Sequence, residues 1–386
     1  MNDLKYVRRQ GKVIMKKVAT VTLDGYFNYG NVLQRYALCK VLSDAGCRVD
    51  SLWQSSEADF LEYLSAHYVW MQENWSWKTY VKLAINWRGS TSRLLSGRNG
   101  WEAARCACIK SFVDRYVPMR YGVDFAHVAE EYDCFVTGSD QVWNPHFAGL
   151  EKLFIKFAPP EKRVAYAASI SAPEIPADKL ETFIDGVNGM RAISVREQAG
   201  ADLIRKLTGR SVEVVADPTM LLAADEWRQI ARKPSWLKGD EAILVTYFLG
   251  RRPNDVIERI AGENHLQIVN MLDERIFEHY VVAPEEWLWL IDHARLMYTD
   301  SFHGTVFSIL FRTPFVITER VEDGCASQMT SRIDTLLEKF DLADRRGTAG
   351  NGYTIANPLA IDYGDAEAVL KLDKEKANQY LRMSLA

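Results

Sequence analysis

The chain contains no uninterrupted apolar stretch approaching the ~20 residues of a bilayer-spanning helix, so nothing in its 386 residues reads as a transmembrane segment. Cysteine is sparse: the six residues at 39, 47, 106, 108, 134 and 325 form no CxxC pair and no His/Cys group with zinc spacing. Cys106 and Cys108 lie two apart on an expected helix and point away from each other, so all six read as reduced thiols. A basic surplus is also missing. The 47 Lys and Arg face 51 Asp and Glu, a net charge of −4, which argues against a general nucleic-acid binder. The basic opening segment leads into one short strand-like run without a small-residue cleavage site, so no secretory signal is read. Residues 1–16 are expected to be an extension, and the cytoplasm is the expected compartment. There is no internal repeat and no low-complexity segment.

What is present suits two domains: the length exceeds one ordinary core, and the composition, 48% hydrophobic and 25% charged, is globular. An apolar β-branched run over 18–23 leads through a polar loop, 24–31, to a helix with Leu33, Ala37, Leu38, Val41 and Leu42 on one face. Gly46 ends that helix and 48–53 reads as the next strand, a βαβ opening that places parallel strands in one sheet. Further strands are expected over 132–137, 163–169, 192–196, 212–215, 242–248, 266–271 and 296–299, alternating with helices. The class is therefore α/β, two doubly wound Rossmann-like lobes facing a cleft. The boundaries read as 17–190 for the N-terminal lobe, expected on the acceptor side, 191–365 for the C-terminal lobe, expected on the donor side, and 366–386 for a terminal helix, with the junction somewhere over 175–240. Between Trp77 and Arg120 nine Lys and Arg meet two acids, and five tryptophans fall between Trp70 and Trp101. The segment 66–120 is thus expected to be a Trp-rich helical insertion. One reading has its rings stacking on sugars or resting at anionic lipid headgroups, a peripheral contact at the inner membrane face. The other has Trp in a local core and Lys and Arg on a solvated face.

In open α/β sheets ligands sit beyond the carboxyl ends of the strands, so polar residues just after strands carry the functional expectation. The run 299–308 follows an apolar strand and opens an apolar helix. Its unpaired helix-start N–H groups, Gly304 and the hydroxyls of Ser301 and Thr305 suit an anion, beside which His303 could act as acid or base. The alternative is that Asp300 or Ser301 caps the helix and His303 is a structural imidazole. Asn28, Gly30 and Asn31 lie in the first strand-to-helix loop, where Asn31 could also be an ordinary cap. Ser139, Asp140 and Gln141 occupy another post-strand turn, where Asp140 either holds a sugar hydroxyl or makes an Asx-turn. Arg196, Arg332 and Arg320 are candidates for a carboxylate or phosphate, because a guanidinium fork matches both.

Taken together, Asn28-Tyr-Gly-Asn31 with Gln34 and 36–38, the run 137–143, Ser194-Val-Arg-Glu197, Asp217-Pro218 and the run 299–308 resemble the polysaccharide pyruvyl transferase family in order and spacing, over about 17–345. The resemblance implies a GT-B-like fold, phosphoenolpyruvate as donor substrate with no cofactor and no metal, and a glycan or lipid-linked oligosaccharide as acceptor. It implies active-site roles for His303 as acid/base and Arg196 as anion clamp, and Asp140 is the candidate that orients the acceptor diol. One departure matters: many members carry Ser-Arg-Leu-His-Gly, where this chain has Ser301-Phe302-His303, so Arg332 or Arg320 is expected to supply the missing cation. The rival readings are a nucleotide-sugar glycosyltransferase of the same fold, with Glu319 or Glu322 on the ribose, and a non-catalytic component of polysaccharide assembly.

Overall fold

The computed structural model describes residues 7–9, 12–54, 98–322, 325–326 and 331–386. Its first lobe comprises β1 (Lys17–Val21), α1 (Tyr29–Asp44), β2 (Arg48–Leu52), α2 (Arg98–Tyr116), β3 (Met119–Arg120) and β4 (Cys134–Thr137). It continues through β5 (Arg163–Ala168), α3 (Ala177–Asn188), β6 (Ala192–Val195), α4 (Gln198–Thr208) and β7 (Glu213–Val214). The seven strands are parallel in the order β3-β2-β1-β4-β5-β6-β7.

The second lobe runs β8 (Ile243–Tyr247), α5 (Asn254–Glu263), β9 (Gln267–Met271), α6 (Pro284–Asp292), β10 (Leu296–Thr299), α7 (Phe302–Phe311) and β11 (Phe315–Thr318). It closes with α8 (Ser331–Lys339), β12 (Arg346–Gly347) and α9 (Ala366–Leu385). Its five strands are parallel in the order β9-β8-β10-β11-β12. Every residue of β4, β8, β10 and β11 is buried, as strands covered on both faces require, which is why they read as continuous apolar runs. The strand order reverses between β1 and β4 in one lobe and between β8 and β10 in the other, the crevices where such sheets bind ligands.

The expected two-lobed α/β architecture is what the structure has, but the boundary at 190/191 moves. β6 pairs with β5 (Val164 opposite Ala192) and β7 with β6 (Ser194 opposite Glu213), so the first sheet extends to Val214 and the second begins at Ile243. Apolar pattern marks these segments as strands but says nothing about which sheet receives them. The terminal helix α9 returns to the first lobe: Tyr380 Oη donates to the Ala165 carbonyl at 2.7 Å, and Lys16 Nζ to the Ala386 carbonyl at 2.8 Å.

The Trp-rich segment lies outside the described residues over 66–97. Its described part buries Ala103, Cys106, Ile109, Phe112 and Val113 in the core, and Trp101 meets Phe277 of the second lobe at 5.5 Å. Among the described residues no helix is long and apolar enough to cross a membrane, and the cysteines at 39, 47, 108 and 134 are free thiols.

The lobes share apolar packing. One buried cluster runs from Val18, Leu33 and Val136 to Trp287, Phe307 and Ile317. At its middle Tyr29 stacks on Trp287 (5.7 Å, 19°) and its Oη donates to the Val282 carbonyl at 2.8 Å. Tyr29→Phe leaves that carbonyl unpaired inside the seam and is expected to lower unfolding free energy by about 1–3 kcal/mol. Urea denaturation measures it, and an unchanged midpoint would mean that the seam does not depend on this bond.

Candidate functional site

The first-lobe loops are fixed by Gln34 of α1. Its Oε1 accepts from Ser139 N at 2.8 Å, and its Nε2 donates to Thr22 Oγ1 at 3.0 Å and to the Asn31 carbonyl at 2.9 Å, which ties the post-β1 and post-β4 turns together. Asn28 caps α1: its Oδ1 accepts from Asn31 N at 3.4 Å, while Asn31 Oδ1 is buried without a hydrogen-bond partner. Asn31 is therefore not the cap. Gly30 is required by a neighbour from the other lobe, since a Cβ there would fall 2.0 Å from His303 Nδ1. In the post-β4 turn Asp140 takes φ +64°, a left-handed conformation that Asp tolerates better than most residues, and its carbonyl accepts from Val142 N and Ser169 N, both at 2.9 Å. Gln141 Oε1 accepts from Asn144 Nδ2 at 2.9 Å, a bond within the turn.

The elbow after β10 differs from the sequence expectation. Ser301 is the cap of α7, its Oγ accepting from Gly304 N at 3.3 Å, and Thr305 Oγ1 donates back to the Ser301 carbonyl at 3.1 Å. A Cβ at Gly304 would meet Thr299 Oγ1 at 2.9 Å and Met297 Cε at 3.2 Å, so this glycine serves the packing of α7 on β10. The three residues expected to receive an anion are thus occupied with closing the helix start. Asp300 caps nothing in α7. Its oxygens accept from Leu249 N (2.8 Å) and Gly250 N (2.7 Å), and Arg320 Nε lies 3.6 Å from Oδ2. Burial raises the Asp300 carboxyl above its ordinary value, against the Arg320 charge and those amides.

The expected residues that do converge are Arg196, His303, Asp140, Ser139 and Arg332, around a carboxylate that strand-end position alone did not single out. Asp217 Oδ2 accepts from Arg196 NH1 at 2.6 Å and from Ser139 Oγ at 3.1 Å, and stands 3.6 Å from His303 Nε2. Its Oδ1 accepts from Thr219 N at 3.0 Å and Thr219 Oγ1 at 2.7 Å. Burial alone would push this carboxyl up; His303, Arg196 and the Thr219 amide outweigh it and hold Asp217 well below the usual carboxylate range. Arg196 NH2 is 3.7 Å from Asp140 Oδ1. Its guanidinium lies 4.2 Å above the ring of Phe302, with that of Arg332 5.7 Å from the same ring. The phenylalanine that departs from the family pattern is thus a platform for two arginines from elsewhere in the chain.

Donors are left over here. Arg196 Nε and NH2, Arg332 Nε and His303 Nε2 are buried without a hydrogen-bond partner. Arg332 NH1 makes one long contact with Ser171 Oγ at 3.5 Å, and among the described residues no carboxylate is in ion-pair reach of it. Burial first and the Arg196 charge second bring its guanidinium down to about 10. Buried cations and unsatisfied donors are costly unless something pairs with them, so the cluster has the chemistry of an anion site with an imidazole on its edge. Glu197 stands behind it, its Oε1 accepting from Ser169 Oγ (3.0 Å), Ile170 N (2.8 Å) and Ser171 N (3.2 Å). The sequence carries Glu197 and Asp217 only as members of short blocks, with no local signal that brings the other segments to either of them. Among the described residues no group of three or more His, Cys, Asp or Glu could hold a metal ion.

Solved structures similar to this chain include the UDP-GlcNAc 2-epimerase of Neisseria meningitidis, at 10% identity and TM-score 0.40, covering 93% of this chain and 100% of that one. They also include the glycosyltransferase SnogD of Streptomyces nogalater, at 11% identity and TM-score 0.36, covering 96% and 99%, and UGT73P12 of Glycyrrhiza uralensis, at 11% and 0.43, covering 96% and 90%. No curated protein matches the sequence. The model of one family matches residues 28–320, a span that holds Gly30, Asp140, Arg196, Asp217 and His303 alike, and the chain belongs to that family, the polysaccharide pyruvyl transferases.

Proposed function

We propose that this chain transfers the pyruvyl group of phosphoenolpyruvate onto two hydroxyls of a surface-glycan sugar or its lipid-linked precursor, forming a ketal and releasing phosphate. The observation that carries this reading is the pair of buried guanidinium groups of Arg196 and Arg332, which keep N–H donors outside any hydrogen bond, beside the His303–Asp217 pair. Phosphoenolpyruvate brings two anionic groups and an enol ether. The arginines suit the carboxylate and phosphate, and His303 suits the proton that its methylene carbon must gain. Protonation of that carbon leaves an oxocarbenium centre, which one sugar hydroxyl attacks while losing its proton. The second hydroxyl then displaces phosphate, loses its proton and closes the ring. Asp140, on the acceptor side of Arg196, is the group we assign to orienting the diol. Asp217, 3.6 Å from Nε2, is the group we assign to orienting the His303 ring. The glycosyltransferase alternative gains nothing from Glu319, whose Oε1 accepts from Ala349 N at 3.2 Å.

Incubation of the purified chain with phosphoenolpyruvate and galactose-, glucose- or mannose-containing acceptors is expected to release phosphate. Release of a nucleoside diphosphate from a nucleotide sugar, with no phosphate from any acceptor, would sink the reading. His303→Ala is expected to lower kcat by about 10²–10⁴-fold with the donor still bound. Arg332→Ala is expected to weaken phosphoenolpyruvate binding by roughly tenfold or more, the loss of a charge-assisted contact, as isothermal titration would report.

Asp217 sets an acid limit. Because its folded-state carboxyl titrates below the ordinary range, its contribution to stability is complete above about pH 4 and is lost as pH falls below that. Asp217→Asn is expected to lower the melting temperature at neutral pH and to flatten the acid limb of the melting curve, read by circular dichroism from pH 7 downward. A limb as steep as the parent's would assign the acid sensitivity to other groups.

A further inference from the structure

At the carboxyl edge of the second sheet, residues after β8, β9 and β11 enclose a cavity of about 860 Å³ that the proposed chemistry does not use. Arg252 lines it, half buried, with its fork braced on two sides: Nε donates to Asn254 Oδ1 at 2.6 Å and NH1 to Thr246 Oγ1 at 3.4 Å, and Thr246 donates to Asn270 Oδ1 at 2.7 Å. Arg251 lines it as well. Neither arginine has a carboxylate in ion-pair reach among the described residues, whereas Arg275, on the far wall, is held at both ends by Asp273 (2.9 and 2.8 Å). Burial lowers the Arg252 guanidinium below its ordinary range. A half-buried cation that no carboxylate reaches within ion-pair distance among the described residues, held in a fixed fork at an open cavity, is suited to a phosphate. The carboxylates of Asp255 and Glu274, exposed on the lining, are suited to accepting hydroxyls.

The position of the cavity ties it to the reaction. Its walls come from β8 and β11, the strands that flank β10, and β10 delivers His303. Leu249 and Gly250, immediately before Arg251, are bound through their amides to Asp300, three residues ahead of His303.

We propose that this cavity is a second anion site, which takes the phosphate or diphosphate of a phosphate-bearing sugar while the sugar's hydroxyls extend toward His303. That the bound sugar is the acceptor rests on the function proposed above; the phosphate site itself does not. Isothermal titration of the full chain tests it, with inorganic pyrophosphate, UDP-N-acetylglucosamine and farnesyl-diphosphate-linked N-acetylglucosamine as probes and phosphoenolpyruvate titrated in parallel. Arg252→Ala is expected to weaken pyrophosphate binding by about tenfold, Arg252→Lys by less, and both are expected to leave phosphoenolpyruvate binding and the melting temperature unchanged. Tighter binding of the farnesyl probe identifies a lipid-borne ligand and tighter binding of the UDP probe a nucleotide-borne one; either supports the site. Absence of pyrophosphate binding, or binding indifferent to both variants, overturns it. Loss of phosphoenolpyruvate binding in the parent, with pyrophosphate still held through Arg252, would overturn the donor assignment and leave this site standing.

Discussion

A carboxylate that folding removes from water must be compensated where it sits, and the compensation of Asp217 organises the whole seam. The Arg196 guanidinium comes to it from the end of β6, the Ser139 hydroxyl from the end of β4, the Thr219 amide and hydroxyl from its own turn, and the His303 imidazole from the second lobe. An isolated buried charge would shift its pKa and neutralise; these partners keep Asp217 ionised instead. Holding the charge and placing the His303 imidazole are therefore one structural task.

Asp300 makes the contrast. It too is buried, and it too has an arginine nearby, but its strong contacts are two backbone amides and Arg320 stands at 3.6 Å, so burial prevails and its carboxyl is raised. The two aspartates separate in role accordingly. One binds cations beside the anion site, and the other fastens the loop after β8 to the start of α7. Arg332 completes the balance as a cation with no carboxylate in ion-pair reach among the described residues, 5.7 Å from the Phe302 ring that also carries Arg196.

Much of this was legible in the sequence, because parallel strands buried on both faces leave continuous apolar runs, and the residue after each run falls at the ligand edge. That reasoning reaches Arg196, Asp140 and His303, and it reaches Arg332 through the gap that Phe302 leaves. It fails where the outcome depends on pairing at a distance. β6 and β7 look like any short strands, and only their hydrogen-bonded neighbours assign them to the first sheet. Ser301, Gly304 and Thr305 have the composition of an anion-binding elbow, but a hydroxyl or glycine at a helix start serves the helix equally well, and here it does. Asp217 escaped for the opposite reason: its two-residue block gives no hint of the three other segments that meet on it.

The shared apolar cluster has a mechanical meaning. Tyr29 and Trp287 stack inside a core that both lobes share, and swinging the lobes apart would put those rings into water. The first turn of α1 at Gly30 closes on the His303 ring from the opposite lobe, so a side chain there would seal the imidazole off as firmly as the seam seals the lobes together.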